Sequence, residues 1–263
     1  MAALPAEVLD LRRELERRFP EAQPVRQGTT GAVATGIGPL DGALPAEGLP
    51  RGRVTVWRPG GGATAVLRSA LEAAMAGGER AAWVDGAGVI SGAYWSGGTG
   101  RSAGPRESGG FEESGSSGGA TPLLFRPADP VNAAACAEEL LRSGGFALVV
   151  LTGVGSGGGG RGLADGEGVR LGRGAREGGA ALVAVTGGAP VSHLKVRTRY
   201  EPDGFRWREG PFGEPAALES VLVRARIESM GLDRRIRFRL GVEVHDVRLS
   251  LEPGLVDRRG VRR

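Results

Sequence analysis

The segment that decides the fold runs from Thr35 to Gly78, TGIGPLDGALPAEGLPRGRVTVWRPGGGATAVLRSALEAAMAGG. The residues from Arg53 to Trp57 (RVTVW) predict a buried strand, and those from Thr64 to Ala76 predict a helix. A glycine-rich turn, Pro59 to Gly62, joins the two. This order is typical of a phosphate-binding loop, and it also occurs as a plain connection between a strand and a helix.

The turn lacks the side chain that a phosphate-binding loop needs most. The motif Gly-x-x-x-x-Gly-Lys-Thr/Ser uses glycine backbone to surround the phosphates, lysine to reach the terminal phosphates and a hydroxyl to hold Mg²⁺. With Thr64 at the hydroxyl position, Trp57 replaces the first glycine and Ala63 replaces the lysine. The only lysine of the chain is Lys195, far downstream. We therefore predict no bound cofactor at this relic loop, which comprises Gly60, Gly61, Gly62, Ala63 and Thr64.

Length and composition restrict the class of protein. The 263 residues are enough for one large α/β domain, or for a core domain with an appendage. No run approaches the roughly 18 apolar residues of a membrane helix, and no basic-then-apolar leader opens the chain, so we expect a cytoplasmic protein without membrane contact. Cys136 is the only cysteine, which excludes an intrachain disulfide, and we predict no metal site.

Positive charge is concentrated in the last third of the chain. From His193 to the end there are 16 basic and 11 acidic residues, and subtraction from the totals leaves 18 and 19 before it. An anionic partner such as nucleic acid would bind in this third. The alternative is a solvated, arginine-rich surface.

Three regions follow from the patterning. Residues 1–30 contain an amphipathic helix, Pro5 to Phe19, and a linker. The helix either covers its own domain or docks on a neighbouring protomer. Residues 31–200 form the core domain, in which the Gly/Ser-rich stretch 91–120 is a mobile insertion. Residues 201–263 form an arginine-rich β extension and tail.

The order of elements predicts an α/β fold with a mainly parallel sheet flanked by helices. Apolar strands are predicted at 80–85, 121–125, 146–151 and 180–185, with a helix at 131–143. The glycine-rich residues 161–179 predict only a weak helix. From Leu194 onward apolar and polar residues alternate, which predicts an antiparallel extension with turns at Asp203-Gly204 and from Met230 to Asp233.

The same stretches resemble the core of RecA-like ATPases. The resemblance begins at Thr35-Gly36 and Leu40-Asp41, and it includes Gly48-Leu49-Pro50 before the first strand. The segment LLFRPADPVNAAACAEELLRSGGFALVVL, 123–151, is similar to the family's strand, helix and Walker B strand, and LKVRTRY, 194–200, resembles the strand after its second DNA-binding loop. The resemblance spans about residues 35–200.

The positions that perform chemistry in that family are changed. The family's lysine position is Ala63, its catalytic glutamate position is Ala87, and its Walker B aspartate position is Thr152. Without these groups the phosphates lose a cation, Mg²⁺ loses its ligand and the attacking water loses its base. We therefore expect no ATPase activity.

A RecA-like chain with degenerate nucleotide motifs and a basic carboxy-terminal third resembles ImuA, the accessory family of bacterial mutasomes. The resemblance implies a role in the SOS response and translesion synthesis. It implies binding to ImuB, a catalytically inactive Y-family polymerase homologue, and through ImuB to an error-prone C-family polymerase and the sliding clamp. Single-stranded DNA is a second candidate ligand. Whether the protein forms a homo-oligomer stays open.

Two other functions remain open. SulA-like division inhibitors also have a reduced RecA-like fold, and such a protein would bind FtsZ. Alternatively, the glycine turn and Thr64 would bind a nucleotide for regulation without hydrolysis.

Arginines in two regions are the candidates for binding DNA or a partner. The loop after the predicted Walker B strand mixes arginine with glycine, and it either follows a phosphate backbone or is a disordered connection. The alternating strands carry rows of basic residues that either meet an anionic partner or protect a sheet edge. The candidates are Arg161, Arg170, Arg173, Arg176, Lys195, Arg197, Arg199, Arg224, Arg226, Arg235, Arg237 and Arg239.

Overall fold

The computed structural model describes residues 5–18, 31–91, 121–154, 162–188, 192–209 and 212–241. The helices are α1 (Ala6–Arg18), α2 (Gly38–Asp41), α3 (Ala63–Ala76), α4 (Ala133–Arg142) and α5 (Asp165–Gly178). The strands are β1 (Ala32–Val33), β2 (Leu49–Pro50), β3 (Val54–Arg58), β4 (Ala81–Asp85), β5 (Leu123–Phe125), β6 (Leu148–Thr152), β7 (Ala181–Val185), β8 (Leu194–Glu209), β9 (Pro215–Ser229) and β10 (Leu232–Gly241). The linker to residue 30, the insertion beyond Ser91, Arg161 and the tail after Gly241 lie outside the described residues.

One eight-stranded sheet forms the centre of the fold, in the order β10-β9-β8-β3-β7-β6-β4-β5. The strands from β8 to β5 in this order are parallel to one another, whereas β9 and β10 are antiparallel to their neighbours. This arrangement confirms the predicted fold class, a mainly parallel sheet flanked by helices with an antiparallel carboxy-terminal extension. The continuous apolar runs of β3, β4, β6 and β7 are buried because helices cover both faces of this part of the sheet.

The two faces of the sheet carry separate cores. On one face α3 packs over Trp57, Trp83 and the apolar side of β8 and β9. On the other face α1, α4 and α5 pack over residues such as Val54 and Val149. Within the described residues, no helix has the length and apolar character to cross a bilayer.

Helix α1 covers its own domain. Its apolar stripe, Val8, Leu11 and Leu15, is buried in the same cluster as α4. The guanidinium of Arg12 donates two hydrogen bonds, of 2.7 and 2.8 Å, to the carboxylate of Glu139 on α4. The stripe therefore packs within its own chain. Of the two alternatives, covering its own domain or docking on a neighbouring protomer, the structure shows the first.

The helix predicted within 161–179 is present as α5, which has 14 residues. The prediction of an arginine- and glycine-rich loop over 153–176 is wrong from Asp165 onward, because α5 begins there. Leu171 and Ala175 on α5 are buried against the sheet. A Cβ atom at Gly178 would lie 1.8 Å from the carbonyl oxygen of Leu141, so only glycine permits this close approach of α5 to α4. Tertiary packing thus outweighs the low helix propensity of the glycines. Arg170, Arg173 and Arg176 consequently lie on a helix and not in a flexible loop.

The prediction of a hairpin turn at Asp203-Gly204 is also wrong. Strand β8 continues from Leu194 to Glu209, and Asp203-Gly204 lies inside it. Pairing with β9 shifts register there, because Tyr200 pairs with Val223 and Phe205 with Val221. The extra β8 residues form an irregularity and do not reverse the chain. The predicted turn near Met230 is confirmed, since β9 ends at Ser229 and β10 begins at Leu232.

Candidate functional site

The glycine turn between β3 and α3 is packed against strand β8. A Cβ atom on Gly61 would lie 2.8 Å from Cδ2 of Tyr200, and one on Gly60 would lie 2.6 Å from the carbonyl oxygen of Thr198. Any side chain at these positions would collide with β8. The close approach of β8 therefore explains the glycines at these positions without a bound phosphate.

The positions around this turn are filled by core residues. Ala63, at the lysine position, is 5% exposed and packs within the α3 core, whereas Thr64 is exposed. Trp57, at the first glycine position, is fully buried, and its Nε1 donates a hydrogen bond of 3.2 Å to Oγ1 of Thr198. The tryptophan therefore connects β3 to β8 at the place where a nucleotide loop would begin.

Thr152, at the Walker B position, belongs to a buried hydrogen-bond network. Its hydroxyl accepts a hydrogen bond from Nε1 of Trp83 at 3.1 Å. The same hydroxyl is the donor towards two acceptors, Oδ1 of Asp85 at 3.2 Å and the carbonyl oxygen of Val84 at 3.3 Å. The hydroxyl is thus used in joining β6 to β4.

Asp85 is a buried carboxylate at the end of β4, with 1% of its surface exposed. Its Oδ2 accepts a hydrogen bond of 2.7 Å from the backbone N–H of Ile90 and lies 3.6 Å from Nε of Arg126. Arg126 also donates a hydrogen bond to the carbonyl of Ile90. The carboxylate therefore holds the loop after β4 in place and is fully engaged in structural contacts.

The loops after β4 and β6 are in direct backbone contact. The N–H of Gly86 donates a hydrogen bond of 2.9 Å to the carbonyl of Thr152, and a Cβ at Gly153 would lie 2.1 Å from the nitrogen of Ala87. Ala87, at the catalytic glutamate position, is exposed. Within the described ranges, no group of three His, Cys, Asp or Glu residues is arranged to hold a metal ion.

The carboxy-terminal strands bring arginines together in two rows, which we call the arginine face. Directly paired residues of neighbouring strands point to the same side of a sheet. The pairings Arg58↔Arg197, Arg197↔Arg226 and Arg226↔Arg235 therefore form a first row across β3, β8, β9 and β10. The pairings Arg199↔Arg224 and Arg224↔Arg237 form a second row.

All seven residues of the arginine face are exposed. Three of them form ion pairs across the face: Arg224 and Arg237 both bind Glu201, at 2.8 and 2.9 Å, and Arg226 binds Asp233 at 2.8 Å. The other four, Arg58, Arg197, Arg199 and Arg235, make no ion pair with any residue that the structure describes. Their guanidinium groups can bind an anion. Arg235 lies near Asp233, where it contributes, after Arg226, to lowering the pKa of that carboxyl.

The remaining predicted residues divide between this region and α5. Lys195 lies in the next row beside Glu228, and Arg239 lies beyond the second row, where it donates a hydrogen bond of 3.3 Å to Oγ of Ser220. On α5, Arg170 lies 3.4 Å from Glu138 and Arg173 lies 2.6 Å from Glu177. Arg170 therefore links α5 to α4, whereas Arg173 forms its pair within α5. None of the α5 arginines belongs to the two rows.

Sequence reasoning missed Arg58. It is the last residue of β3, directly before the glycine turn, and its single position gives no alternating pattern. Only the parallel pairing of β3 with β8 places it beside Arg197. No local signal in the sequence could have revealed this register.

A separate cavity of about 360 Å³ lies between α5 and the amino-terminal ends of β3 and β8. His193, Arg53 and Arg176 line it. Nδ1 of His193 is buried and has no hydrogen-bond partner. Burial, followed by the charges of Arg53 and Arg176, lowers the pKa of His193 below its ordinary value.

The sequence matches no protein-family model and no curated protein. Among solved structures, the chain is similar to one described as the crystal structure of the RadB recombinase, with a TM-score of 0.48. The two chains are 19% identical, and the match covers 79% of this chain and 95% of that one. We therefore base the functional proposal on this chain's own residues.

Proposed function

We propose that this protein is a RecA-like accessory factor that supports error-prone translesion synthesis in an SOS mutasome without hydrolysing ATP. Its partner is a catalytically inactive Y-family polymerase homologue of the ImuB type. That partner connects it to an error-prone C-family polymerase and the sliding clamp. Single-stranded DNA is its second ligand. The proposal draws on the sequence resemblance to ImuA and on the state of the nucleotide positions.

The observation that carries the proposal concerns three positions that are catalytic in RecA-like ATPases. In this chain the residues at these positions make structural contacts instead. Ala63 is buried as the first residue of α3, and Thr152 is hydrogen-bonded within the core. Ala87 has no functional group, and its backbone lies against the loop after β6. Each missing acid–base or electrostatic group usually costs about 10² to 10⁴ in rate. Loss of all three supports a protein that acts by binding.

Calorimetric titration with ATP and Mg²⁺ tests the first half of the proposal. We expect no heat of binding above dilution and no phosphate release above that of a boiled sample. Mg²⁺-dependent ATP binding without turnover would contradict this expectation and would favour a nucleotide-regulated binding module.

A pull-down tests the second half. The full chain, immobilised, is expected to retain a purified inactive Y-family polymerase homologue and not FtsZ. An active Y-family polymerase serves as the matched control for general polymerase affinity. Retention of FtsZ alone would favour the division-inhibitor alternative. The full chain is needed because residue 200 lies inside β8, so that a truncation there would cut a strand of the central sheet.

A further inference from the structure

The arginine face extends too far into the sheet to serve only as edge protection. Charges that prevent edge-to-edge aggregation belong on an edge strand, and the edge strand on the arginine side of the described sheet is β10. The first row continues from β10 through β9 and β8 to Arg58 on β3, and these three strands are interior. Protection of the edge therefore explains Arg235 and Arg237 at most.

The rows also place like charges directly opposite one another, which destabilises a sheet. In the first row, Arg58, Arg197 and Arg235 form no ion pair with a described residue, whereas Arg226 pairs with Asp233 and Glu228. Asp233 acts mainly on Arg226 and offsets part of the charge of Arg235 as well. A bound anion would remove this repulsion. In the free protein this repulsion is an electrostatic cost that a bound anion would lower.

Carboxylates flank the two rows on both sides, with Lys195 beside Glu228 in the row beyond the first. Glu228 and Asp233 lie opposite each other in the row beyond the first, and Glu201 lies at the far side of the second row. The two rows are about 7 Å apart along the strands, and the first row spans about 14 Å across four strands. The two rows offer one chain of phosphates a strip of arginines, whereas the mixed charge beyond them would hold a second chain less strongly.

The chemistry of the face favours a polyanion over a folded protein partner. The core of a protein interface is depleted of charge and rich in aromatic residues. Here the two rows are arginine throughout, and the shallow depression of about 210 Å³ between them is lined by five arginines and Ala225. Guanidinium groups bind phosphate oxygens through paired hydrogen bonds.

We propose that the arginine face binds the phosphate backbone of single-stranded DNA without reading its sequence. This inference deepens the proposed function, on which it rests for the choice of DNA as the anion. The strand runs across β3, β8, β9 and β10 along the first row, and the second row contacts it from one side. The face has no aromatic residue on which bases could stack, so affinity comes from phosphate contacts alone.

Fluorescence anisotropy with a labelled oligothymidine of about 16 nucleotides tests the inference. The triple variant Arg58→Gln, Arg197→Gln, Arg235→Gln removes the three unpaired guanidinium groups of the first row. We expect its affinity to fall at least about tenfold at low salt. We also expect the slope of log K against log salt to become shallower by about 2, since each lost phosphate contact contributes roughly 0.7. A mixed-sequence oligonucleotide should give the same result.

The matched control is Arg13→Gln, Arg17→Gln, Arg173→Gln, which removes the same charge from exposed positions on α1 and α5. It should leave the slope unchanged. A triple lysine variant of Arg58, Arg197 and Arg235 should retain most of the slope, because it keeps the charges, and it guards against loss of binding through misfolding.

Three results would overturn the inference. The first is an equal loss of DNA affinity in the glutamine variant and in the control. The second is tighter binding of a duplex of the same length than of the single strand. The third is preferential binding of poly-glutamate, which would indicate an acidic protein segment as the ligand. The pull-down with the polymerase homologue is independent of these results. Retention of that partner without DNA binding would refute this inference alone, whereas DNA binding without retention would refute the mutasome proposal and leave the face assigned.

Discussion

The indole Nε1 of Trp83 donates a hydrogen bond of 3.1 Å to the hydroxyl of Thr152. This contact joins the middle of β4 to the end of β6 at the position where RecA-like ATPases are expected to hold Mg²⁺ through an aspartate. The threonine is thus an integrated core residue, and a single substitution is not expected to recreate a metal ligand.

Replacement of Thr152 by aspartate should destabilise the fold without creating Mg²⁺ binding. The new carboxylate would be buried beside Asp85, and two like charges at this distance oppose each other. We expect a loss of roughly 3 kcal/mol in the free energy of unfolding, measured by urea denaturation. Thr152→Val is the control. It should cost about 1 to 3 kcal/mol, because it removes the hydroxyl that accepts the hydrogen bond from Trp83 Nε1. Full stability of the aspartate variant with added Mg²⁺ would contradict the structural role.

Replacement of Gly61 by alanine should destabilise the protein by about 1 to 3 kcal/mol, because the methyl group would meet the ring of Tyr200. Combining it with Tyr200→Ala should give a smaller loss than the sum of the two single changes, which a double-mutant cycle by chemical denaturation would detect. Gly166→Ala is the matched control, since a Cβ there meets nothing within 4 Å. Strict additivity would mean that Tyr200 does not restrict the turn.

Helix α1 should contribute to the stability of a single chain. Leu11 is 5% exposed, and its replacement by alanine should cost about 2 to 5 kcal/mol. Leu9 on the same helix is 38% exposed, and its replacement by alanine should change stability by less than about 0.5 kcal/mol. Thermal unfolding over a range of protein concentrations provides the measurement. A loss in Leu11→Ala that depended on concentration would instead indicate docking on a second protomer.

Stability should fall below neutral pH because of His193. Its pKa in the folded protein lies below the ordinary value of 6.5, so the unfolded chain takes up a proton first as the pH is lowered. The contribution is therefore complete above pH 6.5 and is lost as the pH falls through that value towards the lower folded pKa. The groups facing the cavity include Arg53, Arg173, Arg176 and Glu177.

Unfolding free energies at several pH values check this expectation. His193→Gln should reduce the decline in stability between about pH 7 and pH 5, whereas His245→Gln, which replaces the only other histidine, should not. An identical decline in His193→Gln and the wild type would remove His193 as the cause.

Local patterns were sufficient for most of the parallel core. The apolar runs at β3, β4, β6 and β7 and the glycine turn before α3 were predicted at nearly their observed positions, because a strand buried on both faces must be continuously apolar. Propensity predicted only a weak helix within 161–179, since the 14-residue helix at 165–178 depends on the contact of Gly178 with α4. The continuation of β8 through Asp203-Gly204 likewise depends on its long partner β9.

By itself, the sequence determined which chemical groups this protein has. It lacks a lysine at Ala63 and a carboxylate at Thr152, and its last third alternates arginine with apolar residues. These are properties of composition and short-range order. Only the tertiary structure decided where those groups lie. Strand register, set by pairings between residues far apart in the chain, aligned Arg58 with Arg197, and packing of Tyr200 against Gly61 gave the glycine turn its structural role.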